Sequence, residues 1–254
     1  MKIASWNINS LRKRQDRLFA WLETTKPDVV CLQETKCPDE QFPVLALQAA
    51  GYHSAYHGEK SYNGVAILSK GEPREVRASL CDEVIDPQAR VIAATVKDVR
   101  VYSVYAPNGQ AVGSPAYEYK LQWYARLRDC LIKENQKELA VCGDFNVAPE
   151  DIDTHDPDLW RGAIMCSEGE RGAFADLCKV GLRDTLRLHH KEGGLFSWWD
   201  YRMLSFPKNR GLRIDAILAS ESLAKKCTAA GIDREMRKGK EPSDHAPVCA
   251  EFDV

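Results

Sequence analysis

The chain has 254 residues, 44% of them hydrophobic, a length that one large core can serve without a second domain. Its formal net charge of −2 excludes binders that grip nucleic acid through excess basic charge alone, and its 12 prolines and 16 glycines are scattered rather than pooled in a linker. No apolar run approaches the roughly 18 residues of a membrane span, and the N-terminal apolar stretch is too short for a signal sequence. One domain over residues 1–254 is expected, cytoplasmic, apart from any membrane and monomeric by default. The 9 cysteines form an odd number with no Cys-x-x-Cys pair and sit mostly in apolar runs, which predicts buried reduced thiols.

In chain order, an apolar run at 2–7 reads as the first strand. Ser10 then precedes Leu11, Leu18 and Leu22, which share one helical face. Runs at 28–33, 64–68, 90–96 and 100–105 read as further strands bounded by Gly, Pro, Asn and Asp. Ser114-Pro115 is a helix start, followed by Tyr117, Leu121, Tyr124, Leu127 and Leu131. Strand signals return at 139–142, 195–199, 214–218 and 246–252. So many strands with few helices between them favour an α/β or α+β sandwich over a regular βαβ array.

The residues at the ends of the apolar runs carry the chemistry. Asn7 ends the first run and Glu34 follows the second; Tyr105 and Asn108 close the run at 100–105, while Asp144 and Asn146 follow 139–142. Near the C-terminus Ile214 precedes Asp215, and Ser243-Asp244-His245 leads into the last strand. If these ends converge on one edge, they assemble carboxylates, amides, a phenol and an imidazole. Hard divalent cations such as Mg²⁺ take carboxylate, amide-oxygen and water ligands, so Glu34 and Asp244, with Asn7 nearby, are the natural candidates. Zinc fits less well, with one imidazole and no thiolate at ligand spacing. An oxygen-ligated, redox-silent metal suits phosphodiester hydrolysis: Asp144 orients or deprotonates water, and Asn146 and Tyr105 donate to the developing charge. His245 acts likewise if Asp215 fixes its tautomer and keeps it protonated.

Taken singly, each piece has an ordinary reading: an Asp or Asn after a strand is usually a turn residue, and Trp198-Trp199 reads first as aromatic core. Arg12, Lys13, Arg14 and Arg17 lie together, as do Arg202, Lys208, Arg210 and Arg213, and these clusters soften the objection that the net charge raises.

Together these residues resemble the exonuclease III family of the endonuclease/exonuclease/phosphatase superfamily, essentially from Lys2 to Phe252. Gly143-Asp144-Phe145-Asn146 and Ser243-Asp244-His245 mark the superfamily. Leu32-Gln33-Glu34-Thr35-Lys36 and Tyr105-Ala106-Pro107-Asn108-Gly109 also match, and more specific are Trp6-Asn7-Ile8-Asn9-Ser10-Leu11-Arg12, Phe196 to Arg202 and Arg210 to Asp215. The resemblance implies a four-layered, deoxyribonuclease I-like sandwich of two mixed β-sheets flanked by helices, with the site at one edge. It implies Mg²⁺, with Mn²⁺ as a substitute, held chiefly by Glu34 beside Asn7, with Asp244 as a further ligand or anchor. Asp144, Asn146 and His245 become ligands too if two metals act. Asp215 and His245 would stabilise the transition state, Asn108 would contact phosphate, and Trp198 and Leu212 would wall a pocket for a flipped nucleotide lacking its base. The expected partner is duplex DNA with abasic sites or 3′ ends. The segment 160–171, including Met165, departs from the pattern beside that pocket. A superfamily phosphatase acting on a small phosphoester and a catalytically inactive binding module remain as alternatives.

Overall fold

A computed structural model describes residues 1–134 and 136–254. In chain order the elements are β1 (Lys2–Asn7), α1 (Leu11–Thr25), β2 (Val29–Gln33), α2 (Val44–Ala49), β3 (His53–His57) and β4 (Val65–Ser69). Then come β5 (Arg74–Arg77), β6 (Val91–Val96), β7 (Val99–Tyr105), α3 (Pro115–Glu134) and β8 (Leu139–Asp144). The last part holds α4 (Pro157–Trp160), α5 (Glu168–Lys179), β9 (Leu182–Asp184), α6 (Thr185–His189), β10 (Asp215–Ser220), α7 (Glu221–Ala224), β11 (Cys227–Ile232) and β12 (Val248–Phe252).

The strands form two six-stranded mixed sheets, ordered β11-β12-β1-β2-β4-β3 and β5-β6-β7-β8-β10-β9. Each sheet holds one parallel pair, β1 with β2 and β7 with β8, and its other pairings are antiparallel. The sheets stack through Ile3, Val29, Cys31 and Ile67 of one and Ile92, Val101, Ala140 and Ile217 of the other. Their outer faces are covered as well, by Leu18, Trp21 and Leu22 of α1 on the first and by Trp123, Leu127 and Phe174 of α3 and α5 on the second. This is the expected four-layered sandwich. Burial on both faces explains why the central strands read as continuous apolar runs rather than alternating ones.

The predicted strand at 195–199 is not one. The N–H groups of Ser197 and Trp198 both point at the Leu212 carbonyl, at 3.0 and 2.9 Å, so regular pairing ends there and only isolated bridges to Leu212 and His245 remain. Four strands escaped prediction, and all four are sheet edges: β3, β5, β9 and β11. α1 begins after Ser10 as expected, yet Ser10 makes no side-chain cap; its own N–H and that of Leu11 donate to the carbonyls of Glu34 and Thr35. On α3, Ser114 does cap, accepting from the Tyr117 N–H at 3.2 Å, while the inward face carries Lys120 and Trp123 as well as the predicted apolar residues, and Leu121 is only half-buried. The cysteine expectation needs two corrections: Cys81 and Cys130 form a disulfide joining the loop after β5 to α3, and of the seven free thiols Cys178, Cys227 and Cys249 are only half-buried.

The basic clusters divide as well. Arg12, Lys13, Arg202, Lys208 and Arg210 are exposed, but Arg14 and Arg17 turn inward onto carbonyls of residues 236–242. Arg213 is wholly internal, its Nε 2.6 Å from Asp153 and its Nη1 2.6 Å from Asp184. Replacing one partner of a buried pair strands the other charge. Arg213→Met is therefore expected to lower unfolding free energy by about 3 kcal/mol, the low end of the usual range because Arg187 still bonds Asp153. A urea midpoint equal to the parent's would mean that this pair does not hold the fold.

Candidate active site

The topology decides where the polar strand ends go. Both strands of a parallel pair finish at the same edge, so β1 and β2 deliver Asn7 and Glu34 together, and β7 and β8 deliver Tyr105 and Asp144, which pair in register. Antiparallel neighbours start where those strands end: Asp215 opens β10 opposite Asp144, and Asp244 and His245 lead into β12 beside β1. Polar residues from two sheets thus meet at one edge of the sandwich.

Asn7 joins the halves. Its Nδ2 donates to Glu34 Oε1 at 2.7 Å and across the sheets to Asp144 Oδ2 at 2.9 Å, while its Oδ1 accepts from the Asn9 N–H at 3.0 Å. Glu34 takes a left-handed backbone, φ +49°, one residue past β2, which turns its carboxylate back over the edge. Burial pushes the Asp144 carboxyl up to about 7 and Asp215 adds to that, against the opposing pull of His245, Asn7 and the Asn146 N–H. His245 Nδ1 lies 2.8 Å from Asp215 Oδ2, and its Nε2 is 3.7 Å from Asp144 Oδ2. Burial alone would neutralise this imidazole, but the Asp215 and Asp144 charges outweigh it and push it up to about 10. The Tyr105 hydroxyl is pushed well above its ordinary range by burial and by Glu34 and Asp144.

The ligand atoms of Glu34, Asp144 and His245 lie within 4.8 Å of one another. Two carboxylates from different sheets, Glu34 and the buried Asp144, with their oxygens this close are what a hard divalent cation fits. Asp244 stands beside this group rather than in it: its oxygens accept from Asn9 Nδ2 at 2.8 Å and Trp198 Nε1 at 3.0 Å. Asn146, at φ +50°, follows β8 and bonds the Ala106 carbonyl and the Asn108 amide, leaving Asn108 exposed at the rim. Leu212 is fully buried with Ala148, Cys166 and Ile214, and Trp160, Met165 and Trp198 pack on that cluster half-exposed.

Two site residues were missed, though both lie inside motifs already singled out. Asn9 holds Asp244, and Lys36 bridges the Asn9 Oδ1 at 2.7 Å and Glu34 Oε2 at 2.8 Å. Both lie just past a strand end with left-handed backbones, φ +44° and +48°, so strand alternation could not place them, and membership of those motifs was their only signal.

Known proteins resemble the chain along its whole length. A model of the endonuclease/exonuclease/phosphatase family matches residues 4–245. Exodeoxyribonuclease III of Haemophilus influenzae is 40% identical, over 99% of this chain and 100% of that protein. The structure of the 3′ phosphatase NExo from Neisseria bound to a product DNA hairpin superposes with TM-score 0.98 at 45% identity, covering 100% of both chains. An AP endonuclease from Archaeoglobus fulgidus gives 0.96 at 39% identity, again over 100% of both.

A titration tests the electrostatics directly. In the metal-free protein the His245 imidazole is expected to stay protonated at pH 8 and lose its proton near pH 10, and Asp215→Asn is expected to lower that transition, since Asp215 is what raises it. Nitrogen NMR of labelled histidine reads both. An ordinary midpoint near 6.5 in the parent would refute the pairing.

Proposed function

The chain belongs to the endonuclease/exonuclease/phosphatase family, and from that premise we propose that it is a Mg²⁺-dependent DNA repair nuclease that cuts duplex DNA 5′ to abasic sites and clears 3′ ends. The observation that carries this reading is the edge where Glu34, Asn7, Asp144, Asp215 and His245 meet with two sheets behind them.

In this reading Glu34 is the principal metal ligand, with Asp144 facing it and Asn7 fixing both carboxylates. The cation would supply Lewis-acid stabilisation of charge on the phosphoryl group. Asp144, held by Asn7 and facing His245, orients and deprotonates the attacking water. His245 is held protonated by Asp215, so it donates from Nε2 to a phosphoryl oxygen and is a donor rather than a ligand. Tyr105, Asn146 and the exposed Asn108 donate to non-bridging oxygens. Asp244 anchors Trp198 and Asn9, and half-exposed Trp198 forms the apolar wall; Leu212, expected to share it, has no exposed surface and instead backs Trp198 from within the core.

One observation favours a narrower second reading. Met165 and Trp160 pack on the same cluster as Trp198 and Leu212, and Met165 holds φ +70° there. Bulk on that wall disfavours a flipped abasic nucleotide and leaves 3′-end trimming as the main activity. We further propose a cytoplasmic monomer whose hold on duplex DNA rests on phosphate contacts and weakens steeply with salt. Among the described residues no helix is long and apolar enough to cross a membrane.

The deciding assay presents the enzyme, with Mg²⁺ or EDTA, with one duplex carrying an abasic-site analogue and another with a recessed 3′ end. Metal-dependent incision supports the first reading. Trimming alone supports the second, and Met165→Gly is then expected to raise incision relative to trimming; an unchanged ratio would clear Met165 of that role. Cleavage of neither duplex, with turnover of a small phosphoester, would overturn both. Asp144→Asn and His245→Asn are each expected to slow cleavage by roughly three orders of magnitude with duplex binding retained. For Glu34→Gln the expected defect is a shifted Mg²⁺ requirement, and an unaltered titration would argue against ligation.

A further inference from the structure

Lys120 lies on the inward face of α3, and neither it nor its partner Glu170 at the start of α5 has any exposed side-chain surface, 0% for each. An ammonium so placed is tolerated only if all three of its protons find acceptors. They do: Glu170 Oε1 at 2.5 Å, the Asn146 carbonyl at 2.6 Å and the Asn108 carbonyl at 3.1 Å. Both carbonyls belong to residues assigned above to phosphate contact. Glu170 in turn accepts from the Met165 N–H at 3.0 Å, the Ser167 N–H at 3.1 Å and the Ser167 hydroxyl at 2.6 Å.

A helix cap would explain the Ser167 bonds and nothing more, because a capping box involves only its own first turn. The bonds to Lys120 and to the Met165 main chain are additional. They fall where the backbone is least comfortable: Asn146 at φ +50° and Met165 at φ +70° both occupy left-handed conformations, which persist where the surroundings over-determine them. Gly109, at φ +90°, lets its loop lie on the Lys120 stem, since a Cβ there would come within 3.0 Å of Lys120 Cδ.

We propose that the Lys120–Glu170 pair is a positioning device for the reaction, one anchor that sets the Asn108 and Asn146 amides against the phosphate and ties them to the Met165 wall. The inference rests on the proposed phosphate roles of Asn108 and Asn146. Neither Lys120 nor Glu170 touches substrate. Because the two amides and the wall hang from one point, phosphate grip and nucleotide selection change together when it is loosened.

Either single neutralisation leaves a buried charge without its partner, so the working probe is the double variant Lys120→Met/Glu170→Gln, which removes both charges at similar volume. With folding verified by circular dichroism, kcat on a recessed 3′ duplex is expected to fall about 100-fold, the scale of an ångström-sized misplacement. The half-saturating Mg²⁺ concentration should move much less than kcat, since Glu34, the principal ligand proposed above, lies in the other sheet. A purely structural role would leave kcat intact in the folded protein. Adding Asn146→Ala to the double variant is expected to cost clearly less than the product of the separate losses, because the anchor acts in part through that residue. A folded double variant at parental kcat, or losses that simply multiply, would overturn the proposal while a slow Asn146→Ala kept the phosphate reading. Asn146→Ala at parental rate would overturn both. If the double variant does not fold, Glu170→Gln alone, which keeps the capping box, is expected to lose about tenfold in kcat, and parental kcat there overturns the anchor.

Discussion

Everything at the active edge depends on one parallel strand pair in each sheet. Antiparallel neighbours send successive ends to opposite sides, whereas β1 with β2 and β7 with β8 finish side by side and bring four functional side chains to one edge. The antiparallel partners β12 and β10 must begin there and add Asp215, Asp244 and His245. The same arrangement concentrates charge in a place with little water. Asp144, Asp215 and His245 are at most 3% exposed, and one imidazolium answers two carboxylates. Asp144 is raised chiefly by that burial, with Asp215 adding to it, while the two carboxylates keep His245 protonated against the same burial.

How much of this could be read from the sequence depends on burial. The central strands are covered on both faces and announce themselves as apolar runs, so β1, β2, β4, β6, β7, β8, β10 and β12 were found with small errors at their ends. The missed strands β3, β5, β9 and β11 are the four edges, and Arg74–Arg77 or Cys227–Ile232 carry mostly exposed or half-exposed residues with no clean alternation. Trp198 and Trp199 misled in the opposite direction: their apolar bulk imitates a strand, but Trp199 is core and Trp198 faces the site edge through Asp244. The candidate site residues at strand ends stood out because they recur in motif after motif, and the structure brings Asn7, Glu34, Tyr105, Asp144, Asp215 and His245 to one place.

What pattern reading could not supply was partnership between distant polar residues. Arg213 looked like part of a basic surface cluster and is instead an internal tie between Asp153 and Asp184. Lys120 interrupts the apolar face of α3, and nothing local in the sequence reveals that Glu170, fifty positions on, answers it. Net charge was a poor guide because it says nothing of placement: some cations, such as Arg14, Lys120 and Arg213, are consumed inside the fold, whereas exposed ones such as Arg12, Lys13, Arg202, Lys208 and Arg210 are what a polyanion would meet.

The two-sheet origin of the site also sets its mechanical requirement. Asn7, Glu34 and His245 stand on one sheet and Tyr105, Asp144 and Asp215 on the other, so a small slide between the sheets would part Asn7 from Asp144 and His245 from Asp215 together. Apolar contact resists separation but is weakly directional and does little to fix register. Directional bonds do that beneath the site, where Gln33 Nε2 donates to Ser5 Oγ in its own sheet and Ser103 Oγ in the other, both at 3.1 Å, and Ser103 Oγ donates back to the Leu32 carbonyl at 3.0 Å. A fully satisfied polar layer in a dry core is stiff because every alternative register leaves a donor or acceptor unpaired. Gln33, the residue before Glu34, is thus a lock between the sheets, and it fixes the strand end from which the left-handed turn at Glu34 departs.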